Sequence, residues 1–138
     1  MRYNELTGPI PSEIGLWTDC YQLILSQGDG NVFTGTMPSE LANLQKLEFL
    51  TLESSSITGT IPTGLASIKT VEKFEVNGNL ITGALPSEFG HMEAVSGFDV
   101  SHNFLIKKIP SELGLLRRME RFFVNDNVSV MISASTVS

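Results

Sequence analysis

The side chains best suited to acid–base or nucleophilic chemistry in this sequence are two histidines, one cysteine and several carboxylates. Glu75 and Asp99 are 24 residues apart, and on adjacent strands they would resemble the carboxylate pair of a glycosidase, which also requires a cleft. His91 and His102 fall at non-equivalent positions of the repeat described below, so we do not expect a catalytic pair. Cys20 stands where an apolar core residue is expected, which disfavours a reactive thiol. The sequence therefore predicts no enzymatic activity and no cofactor.

A Gly-Asp-Gly-Asn run at 28–31 could suggest a calcium or phosphate loop. Neither the acidic series of an EF-hand nor a Walker lysine follows it, so we interpret it as a turn. The turn Gln27-Gly28-Asp29-Gly30 absorbs three additional residues and places Leu23 and Leu25 at inward positions of a strand. Trp17 and Cys20 then fall at positions that hold apolar residues elsewhere, and both are predicted to lie in the core.

All of these residues belong to a sequence repeat, which sets their positions. Prolines at 38, 62, 86 and 110 recur every 24 residues, and a further proline lies at 11. Self-similarity at this period predicts a solenoid. Apolar residues then recur at two positions separated by one residue, which indicates a short strand, and neighbouring repeats would form a parallel sheet. A column of polar residues lies seven positions before each proline and continues once beyond them: Asn4, Asn31, Ser55, Asn79, Asn103 and Asn127.

The polar column has a structural explanation. An Asn amide both donates and accepts, so the column predicts an internal ladder bonded to neighbouring backbone groups. Ser55 can satisfy fewer groups than an amide and is the weakest member of this ladder.

Two further columns predict the rest of each repeat. Glycines at 8, 35, 59 and 83 indicate a positive φ or a close approach of the backbone, and Lys107 interrupts this series. After most of the prolines, Ser is followed by Glu, which is typical of a helix start. Apolar residues then recur at every third position, which suits a short 3₁₀ or α turn on the convex side.

Segments such as Ile57-Thr58-Gly59-Thr60-Ile61-Pro62 and Ile81-Thr82-Gly83-Ala84-Leu85-Pro86 resemble the leucine-rich repeat family in its plant-type subclass. The resemblance implies a right-handed α/β solenoid with a parallel concave β-sheet and short 3₁₀ or α turns on its convex side. It also implies a second, smaller sheet formed by the Thr-Gly stretches. Members of this subclass are commonly ectodomains of receptor-like kinases, receptor-like proteins without a kinase, or secreted inhibitors of cell-wall hydrolases.

The domain prediction is a single array over residues 1–127, followed by a degenerate last repeat and a Ser/Thr-rich tail over 128–138. No stretch reaches the roughly 20 apolar residues of a membrane span, and no signal peptide is recognisable at Met1. The array begins without the cysteine-paired cap that the resemblance implies, since Cys20 is the single cysteine. We therefore expect a fragment of a longer protein.

Charge is distributed unevenly along the chain, whose formal net charge is −6. Five of the nine basic side chains lie in residues 101–138. A nucleic-acid interface would need a broader basic stripe with interleaved aromatic residues, so we predict no nucleic-acid partner.

Strand residues that face away from the core would form the concave surface, and this is the predicted binding site. Its candidate residues combine aromatic and charged side chains, as interfaces commonly do: Phe49, Glu53, Lys73, Glu75, Asp99, Arg121 and Phe123. Scattered solvated charges on an ordinary sheet face would give the same pattern, and that alternative stays open.

Two functions are compatible with this surface. The first is part of a receptor-like, cell-surface or extracellular protein that recognises a protein or peptide, with a glycan or a co-receptor as further partners. The second is a soluble repeat protein, acting as a hydrolase inhibitor or as an intracellular scaffold. In neither case does this segment insert into a membrane.

Overall fold

The computed structural model describes residues 5–25 and 30–131, and over this part the chain is a solenoid. Each turn contributes one strand to a concave sheet, one strand to a lateral sheet and one 3₁₀ helix on the convex side. The predicted ladder residue Asn4 and residues 27–29 of the predicted turn lie outside the described residues. None of the helices in the described part of the chain has the length and apolar content needed to cross a membrane.

In the described part of the chain the concave sheet has five parallel strands, which lie in the order of the sequence. They are β2 (Gln22–Ile24), β4 (Phe49–Thr51), β6 (Lys73–Glu75), β8 (Gly97–Asp99) and β10 (Arg121–Phe123). The central residues Leu50, Phe74 and Phe98 are paired across the strands and almost fully buried. Because side chains alternate between the faces of a strand, the residues on either side of each central position face the concave surface.

Aromatic side chains fill the core beneath the second half of this sheet. The rings of Phe74 and Phe98 stack with their centroids 5.1 Å apart. Phe89, from the convex side, meets both rings edge-on at 5.2 and 5.9 Å. Phe122 continues the row at 5.7 Å from Phe98 and is only partly buried. The inward register that the sequence predicts is thus confirmed by the packing.

The second sheet differs from the expectation because, over the described residues, it is divided into two three-stranded sheets. The first contains β1 (Thr7–Pro9), β3 (Val32–Thr36) and β5 (Ser56–Thr58), and the second contains β7 (Thr82–Gly83), β9 (Phe104–Lys108) and β11 (Ser129–Met131). Two backbone hydrogen bonds still join the sheets, from Leu80 N–H to Ile57 O and from Thr82 N–H to Gly59 O. The pairing of β11 with β9 continues the solenoid backbone beyond residue 127.

Within residues 5–25 and 30–131 the convex side carries five 3₁₀ helices, as the spacing of apolar residues predicts. They span Ser12–Leu16, Ser39–Asn43, Thr63–Ser67, Ser87–His91 and Ser111–Leu115. The Ser-Glu pairs do mark the helix starts, but a proline occupies each N-cap position and no side chain caps the helix. The Ser hydroxyls instead donate to the neighbouring carboxylate, as Ser87 does to Glu88 at 3.4 Å.

The prediction that Trp17 lies in the core is wrong, because 49% of this residue is exposed. Equivalent residues in later turns, such as Leu44 and Met92, are fully buried between two neighbouring turns. Trp17 belongs to the first turn and has a described neighbour on one side only. Cys20 is partly buried and packs against the core, so its prediction is confirmed in part.

The predicted polar ladder is present at Asn79, Asn103 and Asn127. Asn79 accepts from Ile57 N–H at 3.1 Å and donates to Leu52 O and Val76 O at 2.6 and 3.1 Å. Asn103 repeats this arrangement one turn later, and Asn127 repeats it again. Each amide therefore joins its own turn to the preceding one.

Ser55 interrupts this network, as predicted. Its buried hydroxyl has no hydrogen-bond partner. Val76 O and Val100 O each accept from two successive ladder amides, whereas the equivalent carbonyl, Leu52 O, accepts from Asn79 alone. The ladder is therefore weakest between the first and second concave strands, which an amide at residue 55 would join.

The glycine column combines a positive φ with close packing. Gly59 and Gly83 have φ of 77° and 82°, and an added Cβ would lie 2.9 and 2.8 Å from the γ-methyls of Thr36 and Thr60 in the preceding turn. Lys107 adopts the same conformation, with φ of 75°. The residue equivalent to Thr60 in the turn before Lys107 is Ala84, which lacks a γ-methyl. The loss of that methyl leaves room for the Lys107 Cβ.

Candidate functional site

The concave face is organised into columns by the parallel register. Glu75 pairs with Thr51 on one side and with Asp99 on the other, and Asp99 pairs with Phe123. A second column, one position before each inward residue, contains Phe49, Lys73, Gly97 and Arg121 in the same register. The structure therefore brings the predicted residues of these two columns onto one face.

The column of Phe49, Lys73, Gly97 and Arg121 forms a basic margin. Lys73 Nζ lies 5.6 Å from the centroid of the half-buried Phe49 ring, which is a cation–π distance. Gly97 is buried, and a Cβ there would lie 3.4 Å from Arg121 Nη2 and 3.6 Å from Lys73 Cγ. The absence of a side chain at residue 97 thus leaves space that the two basic side chains border.

The centre of the face is acidic. Glu75 Oε2 accepts from the Thr51 hydroxyl at 3.4 Å. Asp99 Oδ1 accepts from the backbone N–H of Ser101 at 2.9 Å and from its hydroxyl at 2.6 Å, which fixes the direction of the carboxylate. Partial burial, together with the neighbouring charges of Glu75 and Asp99, raises the pKa of Glu53 above its usual value.

No ion pair among the described residues neutralises these carboxylates. Over the described residues, the ion pairs within 4.0 Å are Lys46–Asp19 and His102–Asp126, and neither involves the concave carboxylates. The acidic centre and the basic margin lie side by side without direct pairing. Both are consequently available to charged groups of a ligand.

Aromatic surface completes the face at its last strand. Phe123 is 48% exposed, and it follows Asp99 in the central column. Exposed aromatic residues beside charged residues are typical of protein-recognition surfaces. An open sheet of this kind can bind an extended chain across its strands.

The structure separates the residues that could have formed a catalytic site. His91 ends a convex helix, whereas His102 lies after the concave strand, where its Nε2 is 3.5 Å from Asp126 Oδ2. Glu75 and Asp99 are adjacent in register, but they lie on the open sheet. No cluster of three or more His, Cys, Asp or Glu side chains that could hold a metal occurs in the described part of the chain.

Two features of this region were not anticipated from the sequence. The hydrogen bonds from Ser101 to Asp99 were missed because they join residues i and i+2 within one turn. The repeat period relates residues of different turns and does not reveal such a contact. A column of positive φ was also missed, at Gly30, Ser54, Gly78, His102 and Asp126. The glycines at 30 and 78, each directly before a ladder Asn, were the available signal.

Comparisons with known proteins agree with this geometry. No protein-family model and no curated protein matches the sequence. Among solved structures, a TDR receptor is 30% identical with a TM-score of 0.85 and covers 90% of this chain. The Arabidopsis receptor kinase HAESA, in complex with the peptide hormone IDA and the co-receptor SERK1, is 28% identical with a TM-score of 0.86 and covers 97%. This chain spans 21% of the length of each of these receptors.

A plant ice-binding protein is also similar, with 28% identity and a TM-score of 0.78. The match covers 96% of this chain and 41% of the ice-binding protein. The chain is therefore a leucine-rich repeat protein of the plant type, and its fold is that of the receptor ectodomains. Because the same solenoid also occurs in an ice-binding protein, the fold alone does not identify the ligand.

Proposed function

We propose that this chain is a non-enzymatic binding module of a receptor-like protein at the cell surface, and that its concave face recognises an extended peptide. The observation that carries the proposal is the adjacency of an unpaired acidic centre and an unpaired basic margin on one open sheet. The similarity to HAESA, which was solved with a peptide hormone and a co-receptor, supports the same class of ligand.

The arrangement of charges defines the peptide. A basic side chain of the ligand would lie over Glu75 and Asp99, where two carboxylates occupy adjacent strands. An acidic group would lie over Lys73 and Arg121, which border the space above Gly97. Phe123 offers an exposed ring for an apolar residue of the ligand.

The size of the face limits the affinity. Five strands at ~4.8 Å spacing, each lying in a stretch of ~5 residues at ~3.3 Å per residue, give a face of roughly 400 Å². This is about half of the ~800 Å² that one partner contributes to a stable complex. We therefore expect weak binding by this segment alone, with additional surface from further repeats or from a co-receptor.

The test is a display library of extended peptides selected against the immobilised chain, followed by calorimetry on the selected peptides. The Glu75→Gln/Asp99→Asn variant should weaken their binding about tenfold or more, because charge-assisted contacts are lost. Glu88→Gln/Glu112→Gln is the matched control, since it removes the same charge from the convex helices. Equal binding by both variants, or selection of peptides without basic residues, would contradict the proposal.

A further inference from the structure

A groove of about 700 Å³ lies on the side of the solenoid opposite the two three-stranded sheets. The loops that connect the convex helices to the concave strands run along this side. The residues that matter for its chemistry are Lys69, His91, Glu93, Ala94, Arg117 and Arg118. It is separate from the concave candidate site.

The groove exists because a bridge between successive turns is missing there. In the earlier turns, a side chain at the equivalent position spans the gap. Gln45 Nε2 donates to Ala42 O at 2.6 Å and to Ser67 Oγ of the next turn at 3.2 Å. One turn later, Lys69 Nζ donates to Ala66 O at 3.2 Å and to His91 O of the next turn at 2.9 Å.

Neither kind of bridge can form in the turn that follows. Glu93 replaces Gln45 and Lys69, and an ionised carboxylate has no hydrogen to donate to a carbonyl oxygen. Ala94 replaces Thr70, whose hydroxyl donates to Leu47 O of the preceding turn at 2.7 Å. Glu93 therefore removes a connection to the following turn, and Ala94 removes one to the preceding turn. The short Ala94 side chain also leaves the space beside it open.

The open space is bordered by positive charge. Lys69, Arg117 and Arg118 line it against the single carboxylate of Glu93, although the whole chain has a net charge of −6. Lys69 uses two of its three ammonium hydrogens in the backbone contacts, so its position is set while one donor remains. Neither arginine has an ion-pair partner within 4.0 Å among the described residues.

The neighbouring surface confines this positive character to the groove. An adjoining hollow of about 340 Å³ shares Ala94, Arg117 and Arg118 but adds the carboxylates of Glu72 and Glu120. An anionic ligand is therefore attracted to the side of the arginines that faces Lys69.

Size and lining restrict the ligand further. The volume falls within the ~300–1,000 Å³ of small-molecule sites, so a single phosphate or sulfate ion would leave most of it empty. Among the described residues that line the groove there is no Phe, Tyr or Trp on which a nucleotide base could stack. Ala94, Gly90 and Leu115 offer a small apolar floor between the charges.

We propose that this groove binds a short acidic oligosaccharide, whose carboxylate or sulfate groups pair with Lys69, Arg117 and Arg118. The guanidinium groups can form bidentate contacts with either oxyanion, so the two sources share one chemistry. The sugar ring lies over the apolar floor.

Calorimetry with the full 138-residue chain tests the proposal, using trigalacturonate, a sulfated disaccharide, neutral maltotriose and inorganic phosphate as probes. We expect at least one of the two acidic saccharides to bind, and which of them binds identifies the oxyanion. Arg117→Ala/Arg118→Ala should weaken this binding about tenfold or more. Lys107→Ala/Lys108→Ala removes the same charge from the same end of the chain, and it should change binding by less than about twofold.

A second variant separates shape from charge. Glu93→Gln/Ala94→Thr rebuilds the donors that Gln45 and Thr70 provide in earlier turns, and it also removes a negative charge. Electrostatics alone predicts tighter binding, whereas closure of the groove predicts that binding is weakened about fivefold or more. Thermal melting and circular dichroism of each variant confirm that it is folded.

Several results would overturn the proposal. They are failure of both acidic saccharides to bind, equal binding of maltotriose, and binding of phosphate alone. Equal losses in the two double-alanine variants, or tighter binding by Glu93→Gln/Ala94→Thr, would also overturn it.

Discussion

Replacing Ser55 by Asn should complete the polar ladder and stabilise the protein. The Ser55 hydroxyl is buried without a partner, and Leu52 O accepts from one ladder amide where the equivalent carbonyls accept from two. By the geometry of Asn79 and Asn103, an amide at residue 55 would donate to Leu52 O and to Leu25 O. Its oxygen would face Phe33 N–H, as the oxygen of Asn79 faces Ile57 N–H.

The magnitude follows from the groups involved. A net intramolecular hydrogen bond contributes ~0.5–1.5 kcal/mol, and an unsatisfied buried group costs ~1–3 kcal/mol. Side-chain ordering of the new amide offsets part of this gain, so we expect Ser55→Asn to raise the free energy of unfolding by about 1–2 kcal/mol. For a domain of this size, that corresponds to a rise in Tm of about 4–8 °C.

Urea denaturation followed by circular dichroism measures the change, with the m-value as a check that the transition itself is unaltered. Asn79→Ser is the matched control because it creates the Ser55 defect one turn later, and it should lower the free energy of unfolding by about 1–3 kcal/mol. The reasoning is refuted if Ser55→Asn is neutral or destabilising while Asn79→Ser is well tolerated.

Three further predictions concern the core, the backbone and the acidic centre. Phe74→Ala should lower the free energy of unfolding by roughly 3–5 kcal/mol, because the ring is fully buried. Glu75→Ala on the concave face should change the free energy of unfolding little. If urea denaturation gave similar losses of stability for both variants, the strand register would be contradicted. Lys107→Gly should raise the free energy of unfolding by about 1 kcal/mol by relieving a φ of 75°, and a loss of stability would show that the lysine side chain contributes more than the strain. The pKa of Glu53 is raised in the folded state by burial and by the charges of Glu75 and Asp99, so its ionisation destabilises the fold as pH rises through the folded pKa. Glu53→Gln should therefore increase Tm at pH 7 and have little effect near pH 3.5, and an equal increase at both values would exclude this electrostatic cause.

Much of the concave face could be predicted from the sequence because the period alone relates one turn to the next. The recurrence of Asn31, Asn79 and Asn103 predicts the buried ladder, and the alternation around Phe74 predicts which strand residues point inward. Translation by one repeat then places Glu75 opposite Asp99, without any further knowledge of the structure.

Burial at the first turn could not be predicted in this way. The repeat pattern places Trp17 with buried residues, yet 49% of it is exposed, because the large indole has a described neighbouring turn on one side only. The division of the lateral sheet likewise depends on backbone pairing between Ser56–Thr58 and Thr82–Gly83, which a column of Thr and Gly does not specify.

The sequence by itself therefore determined the solenoid, its strand register, its ladder and the weak position at Ser55, because each of these repeats with the period. Only the tertiary structure decided what happens where the period is broken. It shows that Ala84 leaves room for Lys107, that Arg121 and Lys73 border the space above Gly97, and that Glu93 and Ala94 open a basic groove. These features arise from contacts between side chains of different turns. The effect of a substitution in one turn therefore depends on the residue that it contacts in the neighbouring turn.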